Sequence, residues 1–388
     1  MSPTARRKRV AVIIGTRPEA IKLAPVVREL RRFPDRFDAR VIATAQHRQL
    51  ADEVLALFEI GPDYDLDVMT SRQSLTHVTS RILVRLEPVL AQLRPDLVLV
   101  QGDAATSFAG ALAAFYQRIP VGHVEAGLRT GDKYNPFPEE IFRRLATVAA
   151  DLHFAPTAGA RAALLREGVD ADHIYVTGNA VIDALLSVVR QEHPLPRGVR
   201  RVLAGGERRL VLVTAHRREN WGQPLREICA ALRELARRFP DIVVVYALHP
   251  NPQVTEVARA ALGGQSRVVL IKAPPYAQFV SLMKRAYLVL TDSGGLQEEA
   301  PALGKPVLVL RRTTERPEGL AAGVAKLVGV EKQAIVAAAA RLLSDRRAYL
   351  RMARTANPYG DGKAAPRIRK AVLHHFGLGP RPRDFTVR

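Results

Sequence analysis

Two doubly wound α/β domains, each a parallel sheet with helices on both faces, are what this sequence predicts. Three observations carry the prediction. Short apolar, β-branched runs alternate with helix-like segments along almost the whole chain, and continuously apolar strands of this kind belong to parallel sheets covered on both sides. The alternation breaks once, at 191–207, where Pro194, Pro196, Gly198, Gly205 and Gly206 crowd among charges; such a break reads as a linker. The chain has 388 residues, the length of about two or three domains.

In chain order, 10–14 is an apolar strand and 19–32 has helical periodicity. Residues 40–43 form a short strand, and 75–93 a long amphipathic helix, kinked at Pro88 and stopping near Pro95. Further buried strands are expected at 97–100, 121–124 and 174–176. Beyond the break, 210–214 restarts the pattern and 243–248, 268–271, 287–290 and 307–310 follow. The expected domains are 1–190 and 205–362, joined by a linker at 191–204. Two such sheets place a ligand cleft at the carboxyl ends of their strands. Residues from Pro380 onward read as a loose tail.

Composition narrows the partners. The net charge of +20 raises the question of nucleic acid, but the basic residues are spread along the chain. The aromatics, 6% of residues, do not interleave with them as a single-strand-binding surface requires. An anionic small substrate is expected instead, with no nucleic acid. The one cysteine, Cys229, excludes an internal disulfide framework. No apolar run approaches the ~20 residues of a membrane helix, and the apolar run 10–14 is too short for a signal peptide. A cytoplasmic protein without membrane contact is expected.

The most informative stretch is 291–299, Thr-Asp-Ser-Gly-Gly-Leu-Gln-Glu-Glu, between an apolar strand and a helix. Ser293, Gly294 and Gly295 would expose backbone N–H groups at a helix start, a setting suited to phosphate. Carboxylates repel phosphate, so Glu299 beside them suggests a ligand with hydroxyls too, such as a nucleotide sugar. Gly15, Thr16, Arg17 and Pro18 turn the first strand into the first helix, bringing Arg17 and Lys22 near the strand end as cations for a diphosphate. Neither Gly-x-Gly-x-x-Gly nor a phosphate-loop Gly-Lys-Ser/Thr motif is present. Asp103 follows a strand and suits either a cleft acid or a helix cap. Glu125 stands in a small, apolar context as an acid/base candidate or as a buried partner of Arg129. Glu139 opens a helix carrying Arg143 and Arg144, where a Glu139–Arg143 ion pair is the plain alternative. His216 ends the first strand of the second half, able to donate to a diphosphate or move a proton; His249 stands isolated, and no metal site is expected. Arg316 could reach the same diphosphate.

Taken together, these segments resemble one family. Gly-Thr-Arg-Pro-Glu-Ala-Ile-Lys at 15–22, Gln-Gly-Asp at 101–103, His-Val-Glu-Ala-Gly-Leu-Arg-Thr at 123–130 and Pro-Glu-Glu at 138–140 recur in it. So do Gly-Asn at 178–179, His-Arg-Arg-Glu-Asn at 216–220, His-Pro-Asn at 249–251, the Asp-Ser-Gly-Gly segment at 292–299 and Thr-Thr-Glu-Arg-Pro-Glu at 313–318. The chain resembles the bacterial non-hydrolysing UDP-N-acetylglucosamine 2-epimerases from about residue 10 to about 375. The resemblance implies a glycosyltransferase-B-like fold of two Rossmann-like domains, with a last helix, about 363–378, crossing back to the first. It implies interconversion of UDP-N-acetylglucosamine and UDP-N-acetylmannosamine through 2-acetamidoglucal, no dissociable cofactor, a homodimer, and a place in envelope polysaccharide synthesis.

By the family's motifs, Asp103, Glu125 and Glu139 form the acid/base group, Asp103 abstracting the proton, with His216 also catalytic. Arg17, Lys22, His216 and Arg316 would hold the diphosphate, and Arg143 joins the substrate-binding set. Ser293, Gly294 and Gly295 would bind phosphate through backbone donors, and Glu299 the ribose hydroxyls. Phe279 falls where the family packs uracil, and equally suits a helix core. Gln46, His47, Gln49 and Arg72 match a second, activating UDP-N-acetylglucosamine site. An epimerase of a related UDP-diacetamido sugar and a retaining glycosyltransferase are the alternative readings.

Overall fold

The computed structural model describes residues 6–45, 48–70, 73–204 and 208–387. The chain divides into two compact units, the described residues of Met1–Ala184 with Gly360–Thr386, and those of Leu185–Tyr359. The division therefore falls before the predicted linker, and that segment is not bare: the helix Arg197–Leu203 seats a fully buried Val199 within the second unit.

The first unit holds seven strands: β1 (Lys8–Ile14), β2 (Phe37–Ala43), β3 (Tyr64–Asp65), β4 (Leu97–Gln101), β5 (Val121–Val124), β6 (Leu152–Ala155) and β7 (Ile174–Val176). They pair in parallel in the order β3-β2-β1-β4-β5-β6-β7. The order reverses between β1 and β4, and a doubly wound sheet opens a crevice at such a switch point, outside the strands' carboxyl ends. The second unit has six strands: β8 (Arg209–Thr214), β9 (Ile242–Leu248), β10 (Val268–Lys272), β11 (Ala286–Thr291), β12 (Val307–Val309) and β13 (Ala325–Leu327). These too are parallel, in the order β10-β9-β8-β11-β12-β13, with the switch point between β8 and β11.

The central strands are buried beyond their first residues, as Val10–Ile14 and Leu210–Val213 illustrate. Helices on both faces leave no solvated side, so the runs are continuously apolar. The last helix, Ala364–His375, belongs to the first unit. Asp183 accepts its first-turn N–H groups, from Ala364 at 3.1 Å and Ala365 at 3.0 Å. Arg369 ties it to Glu29 at 2.8 Å and lies over the Phe33 ring. Among the described residues no helix is long and apolar enough to cross a membrane.

Candidate active site

Residues of interest in each unit gather at that unit's switch point. In the first, β1 ends at Gly15, where any Cβ would lie 2.1 Å from Thr106 Oγ1 and 2.2 Å from Thr44 Oγ1. The chain can pass there only without a side chain. Thr16 then caps the helix Arg17–Arg31 in a reciprocal capping box with Glu19. One Glu19 oxygen accepts from Gly15 N at 3.0 Å and Thr16 N at 2.6 Å, fixing the turn that carries half-buried Arg17.

Burial pushes the Glu19 carboxyl up to about 7, against the hydrogen bonds from Thr16 and Ser107. Geometry points the same way. Ser107 Oγ contacts both Glu19 Oε1, at 2.9 Å, and the Gln101 carbonyl. A hydroxyl has one proton to give. If it goes to the carbonyl, the Glu19 contact needs a proton from the carboxyl.

Asp103, just after β4, does not cap the following helix. Ala104 is the N-cap and makes no side-chain bond, whereas Asp103 is ion-paired with buried Arg143. Arg143 also reaches Glu140 at 3.4 Å. Fully buried Glu140, unmarked in the sequence, accepts from Thr130 N at 3.2 Å and Gly131 N at 3.4 Å, joining the loop to the helix Glu139–Ala149. Glu139 is the half-buried first residue of that helix.

Glu125 follows β5 with φ 65°, a left-handed conformation unusual for a side chain of its size. Strain of this kind clusters at functional sites. Its partner is not Arg129, which pairs with Glu167 at 2.7 Å. Glu125 Oε2 instead meets Lys22 Nζ at 2.5 Å and accepts from Asn179 Nδ2 at 3.0 Å. Behind these acids, fully buried His123 sets its Nε2 2.8 Å from the Gly102 carbonyl. Burial holds that imidazole down at about 4, so it is neutral and donates, bracing the turn before Asp103.

In the second unit β11 is followed by Asp292, fully buried, whose Oδ2 accepts from His216 N, Arg217 N and Asn220 Nδ2 at 2.7, 2.8 and 2.9 Å. One carboxylate thus joins the end of β11 to the loop after β8. His216 Nδ1 stands 3.6 Å from its other oxygen. Burial lowers the His216 pKa and Asp292 opposes the shift. His249 is not isolated: its ring stacks on His216 at 5.3 Å. Among the described residues no three His, Cys, Asp or Glu side chains group to hold a metal.

The helix Gly294–Ala302 starts beside this carboxylate with no side-chain cap from Ser293. Its first-turn N–H groups suit an outside acceptor. A Cβ on Gly294 would lie 2.8 Å from Glu315 Oε1 and 3.6 Å from the Arg217 and Arg316 guanidinium groups. Arg316 is buried and ion-paired with Glu298. Glu315 binds Arg311 at 2.6 Å and stands 3.5 Å from both Arg217 and Arg316. Burial alone would raise its pKa; Arg316, Arg311 and Arg217 together hold it down at about 2. Arg217 and Asn220 stand in the segment 216–220 that the sequence marks but to which it gives no role, and Arg311 falls outside every marked segment. Glu299 is buried and accepts from Tyr276 Oη at 3.0 Å. Phe279 is half-buried in the first turn of the helix Tyr276–Arg285. Gln46, His47 and Arg72 lie outside the described residues, as does the side chain of Gln49.

Two parallel α/β units, the first carrying acids at its strand ends and the second arginines beside an uncapped helix start, define the class: a doubly wound α/β protein of two units. Comparison with known proteins narrows the class. The family model described as UDP-N-acetylglucosamine 2-epimerase matches residues 28–373. The UDP-N-acetylglucosamine 2-epimerase of Escherichia coli K12 is 52% identical over 373 residues, covering 95% of this chain and 99% of its own. A crystal structure of a protein described as a UDP-N-acetylglucosamine 2-epimerase, from Listeria monocytogenes, superposes with TM-score 0.93 at 49% identity, covering 98% of this chain and all of its own. The Neisseria meningitidis UDP-GlcNAc 2-epimerase, solved bound to UDP-GlcNAc, superposes with TM-score 0.87 at 46% identity, covering 94% and 100%. The chain belongs to the UDP-N-acetylglucosamine 2-epimerase family.

Proposed function

We propose that this protein epimerises UDP-N-acetylglucosamine at C2, reversibly and without net hydrolysis, to give UDP-N-acetylmannosamine for envelope polysaccharide synthesis. The observation that carries the reading is at the strand ends of the first unit: Glu125, held in a left-handed backbone at φ 65°, meets Lys22 at 2.5 Å, and Asp103 is ion-paired with buried Arg143.

The C2 proton is weakly acidic, so its removal needs a held base and a departing group stabilised as it leaves. Asp103, oriented by Arg143, takes that proton. The C2–H and C1–O bonds break, the C1–C2 double bond forms, and UDP leaves with the electron pair of the C1–O bond, giving 2-acetamidoglucal. UDP adds back at C1, Glu125 or Glu139 gives a proton to C2 on the other face, and solvent then takes the proton from Asp103 and reprotonates the donor. Lys22 holds Glu125 in position for this role, and Arg17 adds positive charge for the diphosphate. In the second unit the amides of Ser293, Gly294 and Gly295, with His216 and Arg316, hold the diphosphate. Glu299 takes the ribose hydroxyls and Phe279 the uracil. The strained backbone at Glu125 and the uncapped helix at Gly294 support these assignments.

Anion-exchange analysis of UDP-N-acetylglucosamine after incubation tests the overall reaction. A second UDP-hexosamine peak is expected. Accumulation of UDP and free N-acetylmannosamine would instead assign a hydrolysing enzyme. An activating site at Gln46, His47, Gln49 and Arg72 predicts a sigmoid rate curve; a hyperbolic one, with no acceleration of the reverse reaction by UDP-N-acetylglucosamine, excludes it.

A further inference from the structure

A second cationic cavity lies in the second unit at the opposite end of its sheet. It is an open cavity of about 480 Å³ where β8 and β11 begin and where the chain enters β12. Arg208, Arg209, Lys284, Arg285 and Lys305 converge on it from three separate segments. Their charge is poorly compensated. Arg209 pairs with Asp241 at 2.5 Å, while Lys284 and Arg208 donate to the carbonyls of Val189 and Val202 at 3.2 and 3.3 Å. Arg285 and Lys305 have no ion pair among the described residues. Burial first, and then Arg285, depress the Lys305 ammonium below its ordinary range.

An arginine-rich composition alone would scatter such charges over solvated faces. The carbonyl end of the helix Tyr276–Arg285 accounts for Lys284 and Arg285. It does not account for Lys305, half-buried before β12, or for Arg208 and Arg209 at the start of β8. One wall is a stacked pair, Tyr287 on Tyr349 at 4.1 Å, with the Arg209 guanidinium over Tyr287 at 5.0 Å. An aromatic wall beside clustered cations, of which Arg285 and Lys305 have no ion pair among the described residues, suits several linked anionic groups.

We propose that this cavity binds a polyphosphate-bearing anion, at a site separate from the diphosphate cradle at the far ends of β8 and β11. Consecutive phosphates supply the charge that three converging segments demand, and the volume admits a chain of them. Such phosphates come either free or on a nucleoside, and the probes separate the two sources: inorganic tripolyphosphate and a nucleoside triphosphate.

The test is amine-acetylation footprinting of the wild-type protein at about 0.15 M salt, where bulk attraction is screened. Either probe is expected to shield Lys284 and Lys305. Equal protection by both assigns the site to the phosphates alone; stronger protection by the nucleotide adds the aromatic wall to recognition. If neither probe shields these lysines, or if only Lys22 in the first unit responds, the proposal falls. The variant Arg285→Gln/Lys305→Gln should bind tripolyphosphate at this site at least about tenfold more weakly, as expected when charge-assisted bonds are lost. Unchanged affinity in a variant that keeps the wild-type melting temperature overturns it as well.

Discussion

At the scale of single residues, the acids do different work according to what faces them. Asp103 meets a buried arginine, Glu125 a lysine and an asparagine, and Glu19 only backbone amides and hydroxyls. Asp103→Asn keeps the shape and removes the base, so exchange at C2 should stop while UDP still binds with near wild-type affinity. Retained exchange would remove Asp103 from the role. Glu19 gives a pH-dependent prediction. Its carboxyl is raised from 4.5 to about 7, so across that interval the folded protein holds a proton that the unfolded chain has lost. Its contribution to stability is present in full below 4.5 and is lost as pH rises through about 7. Glu19→Gln has no such loss. Between the two limits wild type should weaken relative to the variant by as much as about 3 kcal/mol, seen in denaturation midpoints against pH. Parallel curves would contradict the neutral carboxyl.

At the scale of elements, the helix Ala364–His375 is held on the first unit by two N–H bonds to Asp183 and by Arg369. Asp183→Ala should cost about 1–2 kcal/mol. It should also speed amide exchange across that helix before the rest of the unit; uniform exchange would mean the cap does not hold it. Much of this level was legible in the sequence. The parallel α/β class, the strands at 97–100 and 174–176 and the helix at 75–93 follow from unbroken apolar runs and one long periodic stretch. Three strands were not legible. Tyr64–Asp65 and Ala325–Leu327 are too short and polar to signal, and Leu152–Ala155 hides behind a buried His153. The helix Arg197–Leu203 was masked by the prolines around it, although Val199 anchors it. At the site, glycine turns and lone acids at strand ends were readable because strand ends mark the crevice. Their partners were not: pairing Asp103 with Arg143, Glu125 with Lys22 and His216 with His249 depends on which strands lie side by side.

At the scale of the whole molecule, a homodimer is expected, and the first unit offers a surface for it. Ile141, Leu145 and Val148, exposed by 37%, 42% and 85%, share one face of the helix Glu139–Ala149. Phe115 and Tyr116 end the neighbouring helix, also exposed. Exposed apolar side chains grouped on one helix face are a candidate interface. Leu145→Asp/Val148→Asp should sediment as a monomer where wild type sediments as a dimer; a monomeric wild type removes the interface. The central claim is wider: the sugar's C2 proton is removed and returned on the other face with UDP still on the product. Its most direct test is proton NMR of UDP-N-acetylglucosamine incubated with the protein in heavy water. The account predicts deuterium at C2 together with a new manno signal still attached to UDP. A manno product that keeps its original C2 proton, or a substrate left unchanged, would contradict it.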